Sequence, residues 1–488
     1  MSNLAFANLT RPGVFITETT GGYRVPELAS FSTVYMIGSS EEGDYNFPTL
    51  VNNVEDFTNQ FGASASTNSV KLYFRNDRQG KLYFIRTAIA PVFEVTVGSP
   101  TTQVVTITIN GEAVDTNIVV GDTPTQAVAK FIASISSSDI GDEVVATSTA
   151  PNKFIIRSSD PEESLTVAAT NALLTIANIT PASLPNSYDY VYAIEKTFDT
   201  IGGRNLEQGF IIAPEAFQNL STSVARQAVG VAMENLAADK DYDWVALVDC
   251  APNQNTVAAV QAEGQLYATA QGHLAFYAPY LTDLEGNTVP SSAAIAGIAT
   301  KRYRQQGFQE PPAGANYPIA GVINVTKRFT NTEQSVLNPL GINLVRFLLN
   351  IGVVSWAART RSSNSYYTFV HTRVIMNVLN GTLRGAFDYD IFSTIDGFSI
   401  LFQRIEGTAN SVCRRLWLGK ALFGATEADA YAVKCSLENN QLDDLENGNV
   451  LLEVYAAPSP ILEKLLVNTI RVNLGAVQDA AAAGQVSN

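Results

Sequence analysis

Hydrophobic positions along this chain fall first into short β-prone runs and then into helical spacing. Val14, Phe15, Ile16 and Thr17 follow Arg11-Pro12-Gly13 in an otherwise polar, glycine-rich stretch that extends to residue 25. No hairpin partner stands near them in sequence, so a strand here has to pair with something distant. Phe31 to Gly38 reads as a buried strand and Lys81 to Arg86 as another, with helical spacing between them near Val54–Phe61, which starts an α/β unit. Around Pro91 the pattern changes to an alternation rich in Thr and Val. Runs at Val104–Ile109 and Val114–Val120 flank Asn110-Gly111, two residues that accept the positive φ of a tight hairpin turn. A helix near Thr125–Ser136, opened by Asp122-Thr123-Pro124, and strands near Val144–Ser148, Phe154–Ser158 and Leu165–Ala169 complete a β-rich module expected at residues 92–186.

The α/β pattern then resumes. Strand Phe210–Ile212, helix Ser221–Ala238, strand Trp244–Val248, helix Asn255–Ala270 and strand Leu274–Tyr277 read as βαβαβ, so residues 26–91 and 187–318 are expected to form one interrupted domain. From 319 to 460 the pattern is mixed. Helices are expected near Pro339–Asn350, Tyr389–Glu406 and Asn410–Leu418, and strands at Tyr366–Val374, Ala430–Leu437 and Val450–Ala456, an α+β domain. After Ala457-Pro458-Ser459-Pro460 a second orphan stretch appears: Leu465, Leu466 and Val467, then Thr469, Ile470 and Val472, ahead of an alanine-rich tail. The expected architecture is therefore an α/β and α+β multidomain chain with extended strand arms at residues 1–25 and 461–488.

Composition narrows the functional classes. The 488 residues are 46% hydrophobic, enough for a sizeable core, but a length beyond ~250 residues divides a core into domains. A formal net charge of −15 without a Lys/Arg cluster in sequence argues against a nucleic-acid partner, and it favours solubility of free subunits. Cys250, Cys413 and Cys435 fit neither a disulfide framework nor a zinc spacing, which points to a reducing cytoplasm. Met1 to Arg11 lacks a signal-peptide pattern and no run of about 18 apolar residues occurs, so direct membrane insertion is not expected.

Chemistry is sparse. Neither GxGxxG nor GxxxxGK follows a predicted strand, so no phosphate cradle or cofactor site is expected. The two histidines, His273 and His371, read as structural groups, and Asp239, Asp241 and Asp243 as a solvated loop without the glycine and distal glutamate of a calcium loop. Cys413 precedes Arg414-Arg415, yet Val412 and Leu416 put it on an apolar helix face. No catalytic or metal residue is assigned. An α/β enzyme working from Asp249 and the strand ends near Tyr277 is the alternative.

Several segments, in order, resemble the contractile phage tail sheath family. They are Arg11–Glu18 (RPGVFITE), Phe47–Val51 with Asp56-Phe57 and Phe61-Gly62, Lys71–Arg86, Val289–Gly297 (VPSSAAIAG), Leu337–Asn343 (LNPLGIN), Trp356–Thr360 (WAART), Trp417–Gly424 and Ala457–Glu463. Ala357 and Ser292 stand where the family has glycine, residues 471–488 run past its usual end, and residues 92–186 match nothing in it. The resemblance implies a structural subunit, not an enzyme. Such subunits stack as hexameric rings around an inner tail tube and contract to drive the tube through a target cell envelope. It also implies partners: other copies of the chain, the tube protein, and baseplate and tail terminator proteins. The setting is a virion tail assembled in the bacterial host cytoplasm, serving viral genome ejection, or a contractile injection particle. In this family terminal arms are added as strands to neighbours, so Val14–Thr17 and Leu465–Val472 are the expected exchange segments, joining a sheet near Ala430–Leu437 and Val450–Ala456. Residues 92–186 are expected to face outward.

Overall fold

The computed structural model describes residues 27–100, 103–180, 184–201, 206–469 and 471. The first elements are β1 (Phe31–Gly38), β2 (Thr49–Val51), α1 (Val54–Phe61), α2 (Thr67–Asn76) and β3 (Lys81–Arg86). After the β-rich module come α4 (Ser187–Ile201), β11 (Gln208–Ile212), α5 (Pro214–Asn219), α6 (Ser223–Ala238), β12 (Val245–Asp249), α7 (Val257–Gln265) and β13 (Leu274–Ala278). Next are β14 (Leu281–Asp283), β15 (Thr288–Val289), α8 (Ser292–Gln306), β16 (Val322–Val325), α9 (Asn331–Leu337), β17 (Ile342–Leu348) and β18 (Gly352–Ser355). The chain continues through α10 (Val370–Phe387), α11 (Ile400–Leu418), α12 (Glu427–Ala430), β19 (Tyr431–Lys434), α13 (Leu442–Glu446) and β20 (Glu453–Ala456).

Eight strands make the main sheet in the order β18-β17-β13-β12-β11-β1-β3-β2. The inner six run parallel, and β2 and β18 close the edges antiparallel. A parallel sheet needs helices on both faces, which explains the continuously apolar strands. Alternation along β1 divides the core: Val34 and Met36 pack with α2, α8 and α10, whereas Tyr35 and Ile37 pack with α4 and α6. Tyr35 stacks on Trp244 at 4.0 Å.

The β-rich module holds β4 (Val92–Val97), β5 (Gln103–Ile109), β6 (Glu112–Ile118), α3 (Pro124–Ser136), β7 (Val144–Ala150), β8 (Lys153–Ser158), β9 (Val167–Ala169) and β10 (Leu174–Asn178). Asn110 (φ 49°) and Gly111 (φ 92°) turn the β5–β6 hairpin, and Thr123 with Gln126 makes a capping box for α3. The sheets β10-β4-β8-β7 and β6-β5-β9 enclose a separate core around Phe131 and Phe154. Entry strand β4 and exit strand β10 pair with each other, so the insertion leaves its host nearly closed. Buried Asp189 ties the junction by accepting hydrogen bonds from Ala90 N (3.0 Å) and Asn186 N (2.8 Å).

Three local readings change. Pro339 does not start a helix: Asn338–Leu340 make one 3-10 turn, Gly341 takes φ 71°, and the chain runs on as β17. A Cβ at Gly341 would sit 2.3 Å from Thr360 O, so the exit from that turn requires glycine. Tyr366–Val374 is not a strand. A 3-10 turn at Ser365–Tyr367 precedes α10, whose Val370, Val374 and Val378 recur at helical spacing toward the sheet. The helices near Tyr389–Glu406 and Asn410–Leu418 are one, α11, because Asp396 accepts from Ile400 N and Leu401 N and sets its start.

Candidate inter-subunit surfaces

The strand ends at the C-terminal edge of the sheet, where α/β folds bind ligands, are filled by structural hydrogen bonds. Glu215 accepts from Ser39 N and Oγ, Ser66 Oγ (2.6 Å) and Tyr190 OH (2.8 Å), fastening β1 to α2 and α4. Asp249, fully buried, accepts through Oδ1 from Ser291 N (2.8 Å), Ser292 N (2.8 Å) and Ser291 Oγ (3.0 Å), which secures the first turn of α8. Asp243 is also buried and paired, to Arg384 and Lys240, where the sequence suggested a solvated loop. His273 donates from Nδ1 to Trp244 O at 2.8 Å, and burial together with the Arg373 charge holds it down to about 3. His371 lies in the first turn of α10 with Nε2 2.9 Å from Ser459 O. Burial pushes the Cys413 thiol up to about 11. Among the described residues no cluster of three or more His, Cys, Asp or Glu could hold a metal ion.

Burial pushes Asp249 up to about 6. Its folded value lies above the unfolded one of about 4, so the folded state binds the extra proton between them and stability falls as pH rises through that window. Asp249→Asn is expected to flatten the pH dependence of unfolding between about pH 4 and 6, read by denaturant titration at several pH values.

The C-terminal region presents a different kind of surface. β19 and β20 form a two-stranded antiparallel ribbon, Tyr431 opposite Ala456, resting on α11 through Val433, Val454 and Ala456. Neither strand has another strand partner among the described residues, so both outer edges offer unpaired backbone groups. From β20 the chain is led along the body: Phe423 N donates to Ala457 O (2.8 Å) and Ser459 N to Ala421 O (2.9 Å). Glu463 then receives a fork from Arg359, Nε to Oε1 at 2.7 Å and Nη2 to Oε2 at 2.5 Å, and a third bond from Asn338 Nδ2 at 3.0 Å. Beyond this clasp the chain leaves the body. Leu465, Leu466 and Val467 are 74%, 93% and 68% exposed, and Thr469 is exposed too, without secondary structure.

The structure thus places Leu465, Leu466, Val467 and Thr469 on no strand of their own chain. Val14, Phe15, Ile16, Thr17, Ile470 and Val472 lie outside the described residues. Sequence reasoning missed the clasp, although Asn338, Arg359 and Glu463 each stand in a segment it singled out. Glu463→Gln is expected to cost about 1 kcal/mol of stability, as for a partly exposed charged fork, measured by denaturant unfolding.

Among solved structures, the chain is similar to a chain of the anti-feeding prophage helical sheath in its contracted state: 17% identity, TM-score 0.60, over 94% of this chain and 99% of that one. It is also similar to the sheath complex of the PVC extracellular contractile injection system in its contracted state, at 16% identity and TM-score 0.57 over 96% and 99%. A sheath tail protein from Desulfitobacterium hafniense matches at 13% identity and TM-score 0.51 over 91% and 96%. No protein-family model and no curated protein sequence matches. The chain has the contractile sheath fold.

Proposed function

We propose, from this fold, that the chain is the repeating subunit of a contractile sheath, built as stacked hexameric rings around an inner tube and shortening to drive the tube through a target cell envelope. Its partners are then other copies of itself, the tail tube protein, and the baseplate and terminator proteins at the two ends. The particle is a virion tail or an injection particle assembled in the bacterial cytoplasm. One observation carries the reading: a ribbon with two open edges stands on the same body that releases an apolar C-terminal chain into solvent. Strand addition satisfies both, with the Leu465–Val472 arm of one copy and the Val14–Thr17 arm of another pairing on the β19–β20 ribbon of a third.

Magnitudes favour assembly over a stray dimer. Burying Leu465, Leu466 and Val467 contributes roughly 5–9 kcal/mol gross, against about 1–2 kcal/mol for each backbone residue ordered. A single arm is marginal. Two arms per subunit, each later contact forming at high effective concentration, make a polymer that needs a nucleus. Contraction then follows from two packings of rigid bodies joined by arms, the extended one metastable and the contracted one lower in free energy. In this reading the module at 92–186 faces outward, which its own core and its adjacent entry and exit strands support, and its removal is expected to leave assembly intact. Negative-stain electron microscopy of the concentrated chain, with and without residues 1–20, tests the reading. Striated hollow tubes from the full-length chain alone are expected, and featureless monomers from both would return weight to an enzyme.

A further inference from the structure

Charge is unevenly placed on this acidic chain. Lys71, Arg75 and Arg78 line a surface hollow of about 510 Å³ with Phe74, Leu284 and Gly321. Arg75 continues it into a second hollow of about 530 Å³ that includes Lys301. Their neighbours Arg302 and Arg304 are paired, to Glu310 and to buried Asp77. Among the described residues Lys71, Arg78 and Lys301 have no ion pair, and Arg75 has one loose contact, 3.7 Å from Glu285. Four cations along one groove give it a positive potential that favours an anionic partner.

Exposed carboxylates gather elsewhere. Glu41, Glu42 and Asp44 form the loop after β1, and the bond from Asn46 Nδ2 to Glu162 Oε1 (2.7 Å) brings Glu162 and Glu163 of the β-rich module alongside. The cation at this loop, Arg86, is held by the carbonyl oxygens of Ser40, Glu41 and Gly43 and stacks over Tyr45.

Topology puts the two patches at opposite ends of the parallel strands. The acidic loop leaves the C-terminal end of β1, whereas Arg78 lies in the turn that leads into the start of β3, which runs parallel to β1. Helices α2 and α8 run back against the strands, from Ser66 beside Glu215 and Ser291 beside Asp249 toward Arg75 and Lys301. The ten residues of α2 rise about 15 Å from the acidic end to the basic one. A patch and its complement that far apart on one rigid body cannot meet within one copy. A two-fold dimer through either patch would bring like charges together.

We infer that the basic groove of one copy receives the acidic 41–44 loop of the next copy. Such a heterologous head-to-tail contact propagates into rings or helices. The inference deepens the proposed assembly by naming an electrostatic contact distinct from the strand arms, and charge reversal tests it without touching those arms.

Two full-length variants suffice. One reverses the groove (Lys71→Glu, Arg75→Glu, Arg78→Glu) and the other reverses the loop (Glu41→Lys, Glu42→Lys, Asp44→Lys), each checked for native circular dichroism. The concentration at which half the chain is assembled, read by sedimentation and light scattering, is expected to rise roughly tenfold or more for either variant alone. It should rise likewise for the unaltered chain when salt increases from about 0.05 M to about 0.5 M. An equimolar mixture is expected to regain assembly, because each reversed groove then meets a reversed loop and each native groove a native loop. Variants that assemble alone as the unaltered chain does, or a mixture that stays dissociated, overturn the inference. So does a short single-stranded oligonucleotide that binds the unaltered chain and not the groove variant while assembly is unchanged, which would make the groove a nucleic-acid site.

Discussion

A chain ended at Glu463 is expected to fold as the full-length protein does and to form no tubes at any concentration where the intact chain polymerises. The clasp decides where to cut. Arg359 and Asn338 hold Glu463 against the body, so residues up to that point contribute to the subunit's own stability, whereas Leu465, Leu466 and Val467 stand in solvent. Leu465, Leu466 and Val467 touch little of their own chain, and their removal exposes nothing that was buried. Thermal unfolding of the truncated and intact subunits, measured at a dilution where both are monomeric, should coincide within about 0.5 kcal/mol, as for surface changes in general. Assembly should be lost, because under the proposed strand addition the arm's roughly 5–9 kcal/mol of apolar burial is gained on another copy. Tubes from the truncated chain would sink strand addition by the C-terminal arm. A large fall in its monomer stability would show instead that the arm folds back on its own ribbon.

Much of the sheet was legible because parallel strands, buried on both faces, write themselves as short unbroken apolar runs. Phe31–Gly38 and Lys81–Arg86 stand where the hydrophobic pattern put them, and Val54–Phe61 likewise. The hairpin at Asn110-Gly111 was legible for a different reason, the positive φ both residues adopt. Helix α8 was not. Its Ala293, Ala294, Ala296 and Gly297 are small on every side, so no amphipathic stripe marks it, and its role is close approach: a Cβ at Gly297 would lie 2.8 Å from Tyr73 O. β17 failed for the opposite reason, since a local start signal at Pro339 was overridden by the partners that β13 and β18 offer.

The candidate surfaces divide along the same line. An apolar run without a partner nearby in sequence, such as Leu465–Val467, is visible as an orphan and stays one in the folded subunit. The clasp and the basic groove are assembled from residues far apart in the chain, Asn338 with Arg359 and Glu463, and Lys71 with Lys301. No local pattern announces such sets, and only the fold brings them together.

The body that carries these surfaces has to stay rigid through assembly, and the Arg226–Glu263 pair is where a single change should cost it most. Arg226 of α6 and Glu263 of α7 are 5% and 4% exposed, joined as a fork, Nε to Oε1 at 2.6 Å and Nη2 to Oε2 at 2.9 Å. Arg226 Nη1 also donates to Leu220 O at 2.7 Å, and Gln254 Nε2 to Glu263 Oε2 at 3.2 Å. The pair's net worth is small, because desolvating two charges offsets their attraction, yet removing one partner leaves the other buried and uncompensated. Glu263→Ala is therefore expected to destabilise the subunit by about 3–5 kcal/mol. Replacing both with apolar residues of similar volume, Arg226→Met with Glu263→Leu, should recover most of that loss. Denaturant unfolding of the single and double variants measures the coupling. A double variant as unstable as the single one would mean that the hydrogen bonds to Leu220 and Gln254, and not the uncompensated charge, set the cost.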